Sequence, residues 1–220
     1  MRKAPVGYAN NCKYLCPMKK NRFYILFFLV LLGVFFGFLA LVNNGEILKK
    51  RHKTVAIVQP FSFTNQDGQL VTERDIEGKV ALVAFFFTTC RTICPPMNNT
   101  IKSIYDQFKN EKDFLVLSHT CDPARDNPAR LRRYADSIGA NTANWWFLTG
   151  RKDSLYLAAR HSYAVDDQQV PPTGSDDDFI HTQLFALVNK EGRVMKKVYD
   201  SFNKEEMTEL REDIQKALKE

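Results

Sequence analysis

Apolar positions change their spacing several times along the chain, and each change marks an element. From Phe23 to Val42 twenty consecutive residues are apolar or Gly, without a charge. At about 1.5 Å rise per residue a helix of that length spans roughly 30 Å, the hydrocarbon thickness of a bilayer. The run exceeds the apolar region of a cleaved signal peptide and no A-x-A pattern follows it, so it reads as a retained transmembrane helix. Asn43 to Thr54 is polar and charged, a tether. Gln59 to Phe63 alternates, Asn65 to Gln69 supplies turn chemistry and Leu70-Val71 resumes, which predicts a β-hairpin.

After the Glu77-Gly78-Lys79 turn, Val80 to Phe87 is a continuous apolar run, the pattern of a buried strand. A helical pattern follows from Cys94 to about Asn110, with Met97, Ile101, Ile104, Tyr105 and Phe108 on one face. Phe114 to Ser118 is a second short apolar strand. Asp126 or Asn127 caps the next helix, Pro128 stands in its first turn, and Gly139 ends it. Trp145 to Leu148 reads as a strand, Lys152 to Arg160 as a helix and Asp166 to Asp178 as a polar loop. Phe185 to Val188, an Asn189-Lys190-Glu191-Gly192 turn and Val194 to Val198 predict a second hairpin. Glu205 to Leu218 is an amphipathic helix.

Strands alternating with helices and closed by a hairpin imply an α/β fold, a central mixed sheet with helices on both faces. The chain divides into a tail (1–22), an anchor (23–42), a tether (43–54) and one domain (55–220), with no internal repeat. Met18-Lys19-Lys20-Asn21-Arg22 by itself reads as the start of a membrane-anchored protein, leaving residues 1–17 as a short tail or an extension of the reading frame.

Charge changes the picture in one respect. The net charge is +6, but residues 1–50 carry eight Lys/Arg and one acid, whereas residues 51–220 carry 23 Lys/Arg and 24 Asp/Glu. The basicity belongs to the N-terminal segment, which argues against nucleic-acid binding. Six Lys/Arg and no acid precede the apolar run, which predicts a cytoplasmic N-terminus and a domain facing the periplasm from the inner membrane.

The candidate chemistry sits where the Val80–Phe87 strand ends. Cys90 and Cys94 stand at i and i+4, so a helical turn puts both sulfurs on one face, with orphan N–H groups and the helix dipole favouring thiolate. A structural disulfide across so small a loop contributes little through chain entropy. Three intervening residues, rather than the two of C-x-x-C, weaken a plain thioredoxin redox reading and suit a metal between the sulfurs. Two thiolates with one imidazole suit Cu(I) and Cu(II), whereas structural zinc takes four protein ligands. For the imidazole, spacing does not choose between His119 and His181. His52 reads as solvated in the tether, His161 as a helix-end histidine, Cys121 as a buried small apolar residue, and Cys12 and Cys16 as incidental thiols.

Three motifs carry a resemblance. Phe87-Thr88-Thr89-Cys90-Arg91-Thr92-Ile93-Cys94-Pro95-Pro96-Met97 resembles the F-T-x-C-P-x-I-C-P-x-M signature of the Sco/SenC family, Cys121 to Pro128 its V-D-P-x-R-D-T-P segment, and Phe179-Ile180-His181-Thr182 its F-x-H-T motif. The resemblance implies a thioredoxin-like domain that binds copper through Cys90, Cys94 and His181. It implies delivery of copper to cytochrome c oxidase subunit II, with an upstream copper donor, or reduction of that subunit's cysteines as a dithiol–disulfide oxidoreductase. A copper or redox sensor is a third reading. Two residues depart from the family pattern. Arg91 replaces a Pro and puts a cation beside the thiols, and Cys121 replaces a Val and adds a third thiol, a possible alternative ligand. Asp176–Asp178 reads as a solvated loop or a steering patch.

Overall fold

The computed structural model of the chain describes residues 18–43, 56–165, 182–195 and 198–220. Two units separate, Met1–Lys53 and Thr54–Glu220. The first contains helix α1 (Met18–Asn43), 26 residues long, on which every large apolar side chain from Tyr24 to Phe38 is exposed. Among the described residues no helix is long and apolar enough to cross a membrane. The side chains described in α1, Arg22 and then Tyr24 to Phe38, cover only the middle of its 26 residues.

In the second unit the continuous apolar runs become the strands at the centre of a sheet. β1 (Ser62–Asn65) and β2 (Leu70–Thr72) form the first hairpin, and β3 (Val80–Phe86), β4 (Phe114–Thr120) and β5 (Trp145–Thr149) run parallel to one another. β6 (Leu184–Val188) and β7 (Tyr199–Asp200) complete the order β2-β1-β5-β4-β3-β6-β7. β3 lies between parallel β4 and antiparallel β6, and all seven of its residues are buried. The two-residue period of a strand then sends alternate side chains to two cores. Val80, Leu82, Ala84 and Phe86 join α2 (Cys94–Phe108), α3 (Pro128–Ser137) and α5 (Lys204–Lys219) on one face. Ala81, Val83 and Phe85 meet α4 (Lys152–Leu157) and the π-helical turn that continues it, Ala158–Ser162, on the other. The mixed sheet with helices on both faces is the architecture expected from the sequence.

Helix ends follow their caps. Asn127, not Asp126, caps α3, its side chain accepting the Arg130 N–H. At the other end Gly139 has φ +66°, and the Gly139 and Ala140 N–H groups reach back to Asp136 and Ala135, the glycine-terminated ending that the left-handed conformation permits.

The second predicted hairpin forms. The Asn189 N–H donates to the Arg193 carbonyl across the turn, Val188 bridges Val194, and the Met195 N–H donates to the Leu187 carbonyl. β7 pairs with the start of β6 through Leu184↔Asp200 and Phe185↔Tyr199, so the returning arm runs past its expected end at Val198. The segment entering the domain pairs with the other side of that arm, since the Val194 N–H donates to the Ala56 carbonyl and Ile57 bridges Arg193.

His119 lies on β4 opposite Phe85 and is fully buried, packed among Phe61, Phe63, Phe85 and Tyr163. Neither ring nitrogen has a partner among the described residues, and burial drives its pKa down to about 3. The folded state therefore holds a neutral imidazole, whereas the unfolded chain binds a proton near pH 6.5. Between those values the unfolded state carries more protons, so stability is full above about pH 6.5 and falls as pH drops, by up to about 1.4 kcal/mol per pH unit. Denaturant titrations from pH 7 to pH 4 are expected to show this slope in the native chain and a flatter one in His119→Phe; equal slopes would show that His119 does not set the acid limit.

Candidate functional site

The site forms where β3 and β4 end side by side. Their parallel register pairs Phe86 with Thr120, so the loop from Phe87 to Ile93 and the loop from Cys121 to Asn127 leave the sheet at the same end. Asp126, only 1 % exposed, joins them. Its carboxylate accepts the Thr88 N–H at 3.0 Å, the Thr88 hydroxyl at 2.5 Å and the Thr120 hydroxyl at 2.6 Å. Arg130 lies 3.5 Å from the same carboxylate and donates to the Thr88 hydroxyl oxygen at 2.7 Å. A buried anion with this many donors satisfies its lone pairs and fixes the backbone two residues ahead of Cys90. Sequence reading offered Asp126 only as a helix cap. Asn127 at the cap is the local clue that frees it for a longer reach.

Cys90 and Cys94 come together as the i, i+4 spacing predicts. The Cys94 N–H donates to the Cys90 sulfur at 3.3 Å, and the Thr92 hydroxyl lies 3.9 Å from it. The supply of donors at this helix start differs from expectation, because Pro95 and Pro96 have no N–H and the Met97 N–H goes back to the Ile93 carbonyl. The Cys94 N–H is what remains, and it points at Cys90.

That geometry makes the thiols unequal, correcting the expectation that both ionise readily. Burial raises the Cys90 pKa, but hydrogen bonds from the Cys94 thiol and N–H and from Thr92 outweigh it and leave the pKa below the usual thiol value. Cys94 is 1 % exposed and its pKa is pushed up to about 12, first by burial, then by its hydrogen bond to Cys90 and the nearby Cys90 and Asp126 charges. Tyr134 stacks on Phe86, accepts a hydrogen bond from Asn98 and closes over the pair; burial and the two thiols raise its pKa. The arrangement is a half-exposed nucleophilic sulfur with a buried thiol behind it.

The other candidates separate by sheet face. Cys90 and Cys94 pack with the Phe86 side, whereas His119 and Cys121 belong with Phe85 and Tyr163 on the opposite side. Neither stands as a ligand beside the two cysteines. His161 is exposed on the π-helical turn that packs on that same opposite face. His181, Asp176–Asp178, His52, Cys12 and Cys16 lie outside the described residues. Among the described residues no group of three or more His, Cys, Asp or Glu gathers as a metal site, so Cys90 and Cys94 stand as a pair. Thr182, the first described residue after His181, is buried, and its hydroxyl accepts the Leu184 N–H. β6 starts there and runs antiparallel to β3, so it begins at the end of the sheet where β3 finishes.

Two predictions follow from this geometry. Iodoacetamide at pH 8 is expected to label Cys90 in the native protein and to reach Cys94 and Cys121 only after denaturation, read by peptide mass spectrometry; equal native labelling of Cys94 would contradict the burial argument. Asp126→Ala strands the donors of Thr88, Thr120 and Arg130 and is expected to cost about 3 kcal/mol or more in denaturant unfolding. A loss below about 1 kcal/mol would show that water replaces the carboxylate.

The SCO1/SenC family model matches residues 49–219. The SCO1 protein homolog of Bacillus subtilis is 34% identical over 167 residues, covering 74% of this chain and 83% of that protein. A solved structure of BsSco, described with a disulfide switch and as a member of the Sco family of cytochrome c oxidase assembly proteins, superimposes with a TM-score of 0.63 at 32% identity, covering 76% of this chain and 96% of that one. Yeast Sco1 with copper bound gives a TM-score of 0.55 at 26% identity, covering 73% and 89%. The family model covers more than half of the chain and the Bacillus subtilis relative is 34% identical over most of both chains, so this chain belongs to the SCO1/SenC family.

Proposed function

We propose that this protein is a membrane-anchored factor that carries copper to cytochrome c oxidase subunit II during assembly of its binuclear copper centre. Cys90, Cys94 and His181 are the ligands in this reading. The observation that carries it is the converging pair of sulfurs in a member of a family whose relatives include a copper-bound Sco1 and a cytochrome c oxidase assembly protein. Soft thiolates hold Cu(I), and an imidazole makes the set competent for Cu(II) as well. The start of β6 beside the end of β3 supports His181 as the third donor, since Thr182 anchors the chain at that end of the sheet. Binding copper through both sulfurs displaces the Cys94 proton, so loading releases protons near neutral pH. The apolar run Phe23 to Val42 and the preceding Lys/Arg excess in the sequence support an inner-membrane anchor with the domain in the periplasm.

One observation favours a second reading. A half-exposed low-pKa sulfur in front of a buried thiol is the arrangement of a dithiol reductant, and the BsSco relative is described with a disulfide switch. Anaerobic Cu(I) titration of the full chain against a chromophoric competitor separates the two. The copper reading expects one copper per chain, loss of binding in Cys90→Ser and Cys94→Ser, and a fall of at least about tenfold in affinity in His181→Ala, about 1.4 kcal/mol. Unchanged affinity in His181→Ala would remove His181 from the site. No copper binding alongside normal disulfide exchange would establish the reductant reading instead.

A further inference from the structure

The two loops that carry the site surround it with cations. Arg91 follows Cys90 directly, is exposed, and makes no hydrogen bond or ion pair among the described residues. Arg130 is 37 % exposed and tethered through the Thr88 hydroxyl, and Arg133, three positions on and so on a neighbouring part of the α3 surface, is exposed. Arg125, 64 % exposed, reaches Asp122 at 3.3 Å. The acids of these loops lie beneath the surface: Asp122 is 7 % exposed and Asp126 1 %. Beyond these loops the described acids include Asp136, exposed three positions beyond Arg133 on α3, Asp153, which follows β5 and pairs with Arg151, and Asp200, two strands from β3. Within the two described loops themselves, every exposed charge is positive.

We propose that this cationic rim is a docking surface for an acidic segment of a partner protein, one that flanks the partner's own cysteines. The inference rests on the thiol chemistry of the preceding reading and names the kind of partner that chemistry serves. Guanidinium groups pair with carboxylates in bidentate geometry, and exposed charges of one sign around a reactive group steer oppositely charged partners to it. Arg91 sets the register, because it adjoins the sulfur that is reachable from outside. Arg130 and Arg133 extend the surface along α3. A partner bound there presents its sulfur to Cys90, while Cys94 stays covered.

Disulfide exchange reads this out. The Cys90 thiolate attacks one sulfur of a peptide disulfide and forms a mixed disulfide. Cys94 then gives up its proton and attacks the Cys90 sulfur. The peptide leaves as a dithiol, and two electrons have passed from the protein to the peptide. The reduced full chain, in non-ionic detergent, is mixed with three cyclic disulfide peptides identical except for flanking Glu, Gln or Lys. A small neutral dithiol reducing the same peptides corrects for their intrinsic reactivity.

Relative to that reference, the Glu peptide is expected to react about tenfold faster than the Lys peptide at low salt, the two converging near 0.5 M salt. Arg91→Gln and Arg133→Gln should each shrink the ratio, and Arg133→Gln should leave the rate with the Gln peptide unchanged. Equal rates for Glu and Lys peptides, a faster Lys peptide, or a preference undiminished in both variants would overturn the docking surface while leaving the thiol reading intact. Failure of all three peptides to react would overturn the thiol reading and the docking proposal together.

Discussion

The site depends on one buried carboxylate. Parallel pairing of β3 with β4 brings two loops to the same end of the sheet, but parallel strands alone do not hold their loops in register with each other. Asp126 does this by taking the Thr88 N–H, the Thr88 hydroxyl and the Thr120 hydroxyl, with Arg130 beside it. Because the carboxylate is buried, each donor must stay in place or leave a charge without compensation. The backbone entering Cys90 is thereby tied to the loop that follows β4. Arg130 serves twice, neutralising the buried charge and presenting part of its guanidinium at the surface beside the thiols.

From that fixed point the chemistry of the two sulfurs follows from what α2 lacks. A helix start ordinarily offers several unpartnered N–H groups, which would favour both thiolates. Pro95 and Pro96 remove two of them, and the Cys94 N–H goes to Cys90. One cysteine receives the stabilisation and the other is buried without it, so the same turn yields one sulfur readier to ionise and one held protonated.

The strong patterns were legible in the sequence. β3 and the start of β4 are continuous apolar runs and α2 has a clear 3.6-residue period, and the spacing of Cys90 and Cys94 places both sulfurs on one face of a helical turn. Three things were not legible, each because it depends on a long-range contact. The reach of Asp126 to Thr88 crosses 38 residues, and locally Asp126 looks like a cap. The exclusion of His119 and Cys121 from the cysteine site depends on register, since the pairing of Phe85 with His119 decides which face they share. The pairing of Ala56 and Ile57 with Arg193 and Val194, on the side of the second hairpin away from β6, joins the start of the domain to a segment far along the chain. The resemblance contributed His181, which spacing had left level with His119.

The inequality of the thiols also bears on why one site serves two readings. Copper held by both sulfurs and a disulfide between them have a requirement in common, that Cys94 lose its proton. Burial raises its pKa to about 12, so near neutral pH that proton must leave in either case. A thiol that ionises with difficulty lends little stability to the reduced pair, since a stabilised thiolate is what holds a dithiol reduced. The inequality therefore acts on the order of events: Cys90, half-exposed and readier to ionise, makes the first contact, and Cys94 completes the exchange only when its proton leaves.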